Sequence, residues 1–177
     1  MILRLKRTPG LYLIGFMGCG KTTIGQALAR RIGWHFVDLD HDIEETHGGA
    51  IQQIFRDLGE LHFRQLEHAA LKVRVREVES GKPMVVALGG GAFVQPDNYA
   101  LLEEHGVTIW LDAPFEMIRR RVPDDGTRPL AIDPAKFEVL YNTRRAQYQR
   151  ADHRVEILSE DPEATVDAII ALKLFGV

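Results

Sequence analysis

The chain has one cysteine, Cys19, which excludes an internal disulfide and leaves the fold to rest on packing. It also lacks long apolar runs: the longest, such as Met84-Val85-Val86-Ala87-Leu88, fall far below the roughly 20 residues of a membrane span. Arg4, Lys6 and Arg7 interrupt the N-terminal stretch where a signal peptide would need an apolar core, so a cytoplasmic location is expected. No excess of one charge is present. The net charge of -3 offers no basic field for nucleic acid, which leaves small molecules as the better class of partner. The 7 histidines fall into no metal-ligand spacing, and Trp34, Trp110 and most phenylalanines read as core rather than as a stacking platform for bases. Internal repeats and low-complexity tracts are missing too. What remains is an ordinary globular composition, 45% hydrophobic and 27% charged, in 177 residues. That length suits one α/β domain over residues 1–177 better than two.

Gly15-Phe16-Met17-Gly18-Cys19-Gly20-Lys21-Thr22 carries two glycines five apart followed by Lys and Thr, the spacing of a phosphate-binding loop. Its context is the one that motif needs. Leu11-Tyr12-Leu13-Ile14 before it reads as a buried strand, and the residues from about 21 to 32 read as an amphipathic helix ending at Gly33. The glycines let successive N–H groups point inward with the helix N-terminus to form a nest for phosphate oxygens. Lys21 would reach the terminal phosphates and the Thr22 hydroxyl would ligate magnesium.

His35-Phe36-Val37-Asp38 follows as a second strand, and Asp38 and Asp40 sit where it ends, the place for a ligand crevice in an open parallel sheet. On an extended segment both side chains face one way, so Asp38 would hold a water on magnesium and Asp40 would face an acceptor hydroxyl. Alternatively Asp40 caps a helix through His41-Asp42-Ile43-Glu44-Glu45. A helix carrying Ile51, Ile54, Phe55 and Leu58 closes at Gly59, and a longer one runs from about Glu60 to Glu79. On the longer helix Phe63, Leu66, Ala70 and Val73 form the apolar stripe, while Glu60, Arg64 and Glu67 share another face that by itself reads as a surface charge ladder. Met84 to Leu88 is a buried strand running into Gly89-Gly90-Gly91, where the lack of side chains admits a ligand, another backbone or a simple turn. Asp97 to His105 reads as helix, Val107 to Leu111 as strand, Phe115 to Val122 as helix. The alternation predicts a parallel, doubly wound sheet. It breaks at Pro123-Asp124-Asp125-Gly126-Thr127-Arg128-Pro129-Leu130, either a mobile lid bringing Arg128 over phosphates or a solvated loop. Residues 134–150 return to helix with Arg144, Arg145 and Arg150, Val155 to Leu158 is the last strand, and Pro162 starts the final helix.

Together these segments resemble the shikimate kinase family from about residue 11 to 172. The resemblance is carried by the phosphate loop with Thr23, Phe36-Val37-Asp38-Leu39-Asp40, Ile54-Phe55 with Gly59-Glu60 and Phe63-Arg64, Gly89-Gly90-Gly91-Ala92, Thr127-Arg128-Pro129-Leu130, and Arg144 four residues before Tyr148. It implies an α/β P-loop kinase fold of three layers, a five-stranded parallel sheet flanked by helices, with a mobile lid over about 122–136. It further implies transfer of the γ-phosphate of ATP to the 3-hydroxyl of shikimate in aromatic amino-acid biosynthesis, with Mg2+ as cofactor and no partner beyond the small molecules, as a monomer. On that resemblance Gly18, Cys19, Gly20, Lys21, Thr22 and Thr23 bind ATP, with Arg121 stacked on adenine and Glu160 to Pro162 lining the other side of the base. Thr22 binds the metal directly and Asp38 does so through water. Asp40 holds and deprotonates the acceptor hydroxyl, Arg64 and Arg144 clamp the carboxylate, and backbone at Gly89, Gly90 and Gly91 closes the pocket. Lys21, Asp40 and Arg128 would carry catalysis, and Glu67 would orient Arg64.

The chain departs from the family pattern at Leu39, where Thr is frequent, and at Ala146-Gln147, where Pro-Leu is usual; Arg145 is therefore an alternative to Arg144. Cys19 stands where Ala or Ser is common, and beside Lys21 and the nest it is expected to be an acidic thiol whose alkylation blocks ATP. A gluconate or nucleoside monophosphate kinase would share the loop without the Asp/Arg/Gly set. A regulatory module without chemistry would be expected to lack Lys21, Asp40 or Arg128.

Overall fold

Three strands of this chain are rich in apolar residues, and in the computed structural model, which describes residues 10–122 and 133–174, they form the middle of the sheet. β1 (Gly10–Ile14), β3 (Met84–Ala87) and β4 (Val107–Asp112) are buried at every position, the outcome for strands covered on both faces. β2 (His35–Asp38) and β5 (His153–Glu156) are more exposed and take the edges. All five run parallel in the order β2-β3-β1-β4-β5. Helix α1 (Lys21–Ile32) links β1 to β2; α2 (Leu39–His47) and α3 (Ile51–Glu79) link β2 to β3. α4 (Pro96–Glu104) precedes β4, α5 (Phe115–Arg121) and α6 (Pro134–Tyr148) precede β5, and α7 (Pro162–Ile170) comes last. Among the described residues no helix is long and apolar enough to cross a membrane.

The register places one functional edge. Leu13 pairs with Ala87 and Asp38 with the same Ala87, so β1, β2 and β3 end together. A last ladder bond, Leu88 N–H to Leu13 C=O at 3.0 Å, closes just before both glycine-bearing loops begin. Because β1 has β3 on one side and β4 on the other, its end is the switch point at which such sheets open a crevice.

Three local expectations need correction. The inward face of α3 is Phe63, Glu67, Leu71, Val75 and Val78, while Val73 is 50% exposed. Phe63 is buried and Leu66 and Ala70 pack against the core as the periodicity predicts, but the stripe runs on through Leu71 and Val75 rather than Val73, with a buried carboxylate in it. The last strand begins two residues earlier than its apolar pattern predicts. Pairing of Ile109 with His153 through Asp112 with Glu156 sets it, and Leu158 is left 84% exposed. Finally, Asp38 rather than Asp40 caps α2: its Oδ1 accepts from the N–H groups of Asp40 and His41 at 3.1 and 3.3 Å. Asp40 therefore lies in the first helical turn, not on an extended segment beside Asp38. Such a cap is worth about 1 kcal/mol. α3 is indeed broken at Gly59 (φ 80°, ψ 170°), as the two-helix reading requires.

Candidate active site

At the end of β1 the backbone turns through Gly18 and Gly20, whose φ values of 77° and 97° belong to the left-handed region that favours glycine. Gly20 caps α1 without a side chain, so the N–H groups of the first helical turn have no side-chain partner and face outward as an anion site. Lys21 Nζ lies along the same loop, donating to the carbonyls of Gly15 at 2.7 Å and Phe16 at 3.1 Å. Thr22 Oγ1 donates to Asp38 Oδ2 at 2.6 Å, which joins α1 to the end of β2. One carboxylate thus serves the helix cap with one oxygen and the Thr22 hydroxyl with the other. The Cys19 thiol, in contrast, is fully buried under the loop with Sγ 3.8 Å from Lys21 Nζ. Alkylation at this thiol would therefore require the loop to open first.

A cleft of about 1560 Å³ runs from this loop to the kinked helix α3. Thr22, Asp38, Asp40, Arg64, Gly89 to Gly91 and Arg144 all line it, together with Phe55 and Phe63 as an apolar wall. The glycines are there because the charged groups leave no room for a side chain. A methyl group at Gly89 would lie 2.7 Å from Asp40 Oδ1, and one at Gly91 would lie 2.5 Å from Arg64 Nη2. Arg64 donates from Nη1 to Glu67 Oε2 at 2.8 Å and lies over the Phe63 ring. Burial raises the Glu67 carboxyl to about 7 against the pull of Arg64, and its Oε1 has no hydrogen-bond partner. The charge ladder is therefore only partly a surface feature: Glu60 is exposed, but Glu67 is 0% exposed and Arg64 faces the cleft.

Burial also raises the Asp40 carboxyl above the usual range, with Asp38 and Glu44 pushing in the same direction and Lys21 and Arg64 opposing. A carboxylate so placed accepts a proton more readily than one in water. Arg144 lines the cleft and donates to Gln147 Oε1 at 3.3 Å. Arg145 is not available as its substitute. It forms a two-pronged pair with the buried Asp112, 3.1 Å from Nε and 2.7 Å from Nη2, and lies over Trp110 and Tyr141.

At the other end of the cleft Arg121 bridges the loop and the segment after β5. Its Nη1 donates to Gly18 O at 3.3 Å, and its Nε and Nη2 reach Glu160 Oε2 at 3.1 and 2.5 Å. Arg121 is the main cause that lowers the Glu160 carboxyl. Glu160, Asp161 and Pro162 line the same end of the cleft, and Thr23 lies by the loop. Of the expected lid, Val122 is buried at the end of α5 and residues 134–136 form the first turn of α6. Thr127-Arg128-Pro129-Leu130 fall outside the described residues, so Arg128 has no position in this geometry.

Some site residues had no clear sequence signal. Tyr148, noticed only as a spacing marker, donates its hydroxyl to Gly90 O at 2.5 Å. Gln95 Nε2 donates to Gly91 O at 3.2 Å and Asn98 Nδ2 to Ala92 O at 3.0 Å, so the glycine loop is tied down carbonyl by carbonyl. A signal for Asn98 was its place one helical turn before the buried Leu102, a polar residue in an apolar phase.

Against known proteins, a family model described as shikimate kinase matches residues 17–173. A shikimate kinase of Synechococcus elongatus is 43% identical over 164 residues, covering 90% of this chain and 84% of that one. One of Persephonella marina is 38% identical, covering 90% and 96%. Among solved structures, a shikimate kinase from Acinetobacter baumannii in complex with shikimate superposes with a TM-score of 0.86 at 34% identity, covering 94% of this chain and 93% of that chain. A sugar kinase from Janibacter, 18% identical with a TM-score of 0.58 and covering 95% and 96%, shares the fold alone.

Proposed function

Because the chain belongs to the shikimate kinase family, we propose that it acts as one catalytic unit that transfers the γ-phosphoryl group of ATP to the 3-hydroxyl of shikimate, releasing 3-phosphoshikimate and ADP. The observation that carries this reading is the pairing of Asp40 and Arg64 against Gly89 and Gly91, in one cleft with the phosphate loop. An acceptor with one carboxylate and several ring hydroxyls needs a guanidinium fork for the anion and a carboxylate for the reacting hydroxyl. The cleft has both.

In this reading the N–H groups of the loop and of α1 hold the phosphates while Lys21 turns from its own loop's carbonyls to the terminal phosphate oxygens. Asp40 accepts the proton of the hydroxyl as its oxygen attacks phosphorus, a step favoured by the upward shift of its carboxyl. Arg64 and Arg144 grip the carboxylate, and the Gly89 to Gly91 backbone fixes the ring between them. Arg121 stacks on adenine with Glu160 and Pro162 opposite, and Arg128 is the lid arginine. Thr22 and Asp38 present a hydroxyl and a carboxylate oxygen 2.6 Å apart, hard donors that suit Mg2+. Among the described residues no three His, Cys, Asp or Glu side chains gather to hold a metal, so the remaining oxygens would come from phosphate and water. The metal's contribution there is to offset charge on the phosphate oxygens.

The test is ADP release from MgATP by the purified protein with shikimate, gluconate, a nucleoside monophosphate or no acceptor. Turnover that depends on shikimate alone is expected. Turnover with another acceptor, or none with any, overturns the reading.

A further inference from the structure

The loop that carries Gly89 to Gly91 is held to the helix that carries Arg64 by a hydrogen-bonded strap behind the cleft. Asn98, at the start of α4, is a polar side chain only 1% exposed, and it touches neither the cleft nor solvent. Its Nδ2 donates to Ala92 O at 3.0 Å. Its Oδ1 lies 2.7 Å from His68 Nδ1. The roles follow from the acceptor at one end. A carbonyl can only accept, so the amide nitrogen faces Ala92, the amide oxygen faces His68, and His68 donates from Nδ1. His68 stands one turn after Arg64 on α3, and Arg64 bears directly on Gly91. Helix and loop therefore meet at three points: the Arg64 guanidinium against Gly91, the Glu67 carboxyl against Gly89, and the His68–Asn98 pair against Ala92.

We propose that His68 and Asn98 are positioning residues that set the separation between Arg64 and the Gly89–Gly91 loop, and through it the fit of the acceptor's carboxylate. The proposal rests on the reading of the cleft as a shikimate site. A guanidinium held too far from the loop loses its forked geometry toward an anion, whereas one pressed too close is blocked by the Gly91 backbone. Burial makes the strap stiff, because an amide cut off from water cannot exchange its partners for solvent. Nothing in the strap reaches the phosphate loop, so the nucleotide end should not sense its loss.

The experiment compares Asn98→Leu, His68→Phe and His68→Gln with the wild type, measuring KM for shikimate, KM for ATP, kcat and Tm for each folded variant. Wild-type turnover with shikimate is the prior condition; its failure removes the function itself, separately from the strap. Asn98→Leu should raise the shikimate KM about tenfold and His68→Phe about threefold to fivefold, with the ATP KM within twofold of wild type. His68→Gln, whose amide can still donate to Asn98, should restore the shikimate KM to within twofold. If Asn98→Leu does not fold, the Phe/Gln pair at position 68 decides. A shikimate KM unchanged in folded variants overturns the proposal, as does an equal rise in both KM values or a failure of Gln to restore what Phe removes.

Discussion

The two ends of the cleft are built in opposite ways. At the nucleotide end one uninterrupted stretch, Gly15 to Thr23, supplies turn, helix N-terminus, lysine and hydroxyl, and local backbone geometry does most of the work. At the acceptor end Asp40, Arg64, Gly89 to Gly91, Arg144 and Tyr148 come from four distant segments and meet only because the sheet and α3 bring them together. The loop itself is specified by short-range rules, with Arg121 and the segment from Glu160 to Pro162 brought to it from a distance. The second end depends on packing at a distance, where the buried Glu67 holds Arg64 and the buried Asn98 holds the carbonyl of Ala92.

The sharpest way to break that contrast is at Asp40, the group proposed to accept the hydroxyl proton. Asp40→Asn should lower kcat by about 10²–10⁴-fold while ATP affinity, measured by titration calorimetry, stays near wild type. Loss of ATP binding would mean that the two ends are not separable. Next come the adjacent arginines. Arg144→Ala should raise the shikimate KM by roughly 10- to 100-fold, the size of a charge-assisted hydrogen bond. Arg145→Ala should instead lower Tm and leave the KM nearly unchanged, since it anchors α6 on Asp112. The reverse ranking would restore Arg145 as the carboxylate ligand. Smaller again is Gly91→Ala, whose methyl group meets the end of a flexible side chain; a rise of about tenfold in shikimate KM, with ATP KM unmoved, is expected.

The smallest effect is on stability. Burial raises the Glu67 carboxyl to about 7 in the folded chain, above its value of 4.5 in water. The folded state therefore binds the proton more tightly. Its contribution is full below about pH 4.5 and is lost as pH rises toward 7. The Tm difference between wild type and Glu67→Gln should shift against the wild type over that range, by roughly 2–4 °C for each kcal/mol. A difference that is flat with pH would place the Glu67 charge elsewhere.

Legibility from the sequence follows the same division. The phosphate loop, the Gly33 cap and the strand–helix alternation were readable because each rests on neighbours in the chain. The glycines at 89 to 91 and Asp40 were readable as a site only in company with the rest of the family pattern. Asp38 as the cap of α2 was missed because two carboxylates two residues apart compete for that role, and only the turn geometry decides between them. The stripe on α3 is legible through Phe63, Leu66 and Ala70 but not at Val73, and the burial of Glu67 with Arg64 as its partner is an exception that apolar periodicity cannot anticipate. The displacement of β5 had a related origin: its position is set by pairing with β4, not by its own Val and Ile.

The bond from Leu88 N–H to Leu13 C=O has one more consequence. The phosphate loop and the Gly89 to Gly91 loop leave the adjacent strands β1 and β3, so the gap between their starting points is gauged by the rung spacing of a parallel sheet, about 4.8 Å. Loops and lids can flex on either side, yet that ruler has no adjustable part. Phosphoryl transfer demands close placement of two molecules, and here the two loops that face the cleft start from a spacing written into the backbone itself.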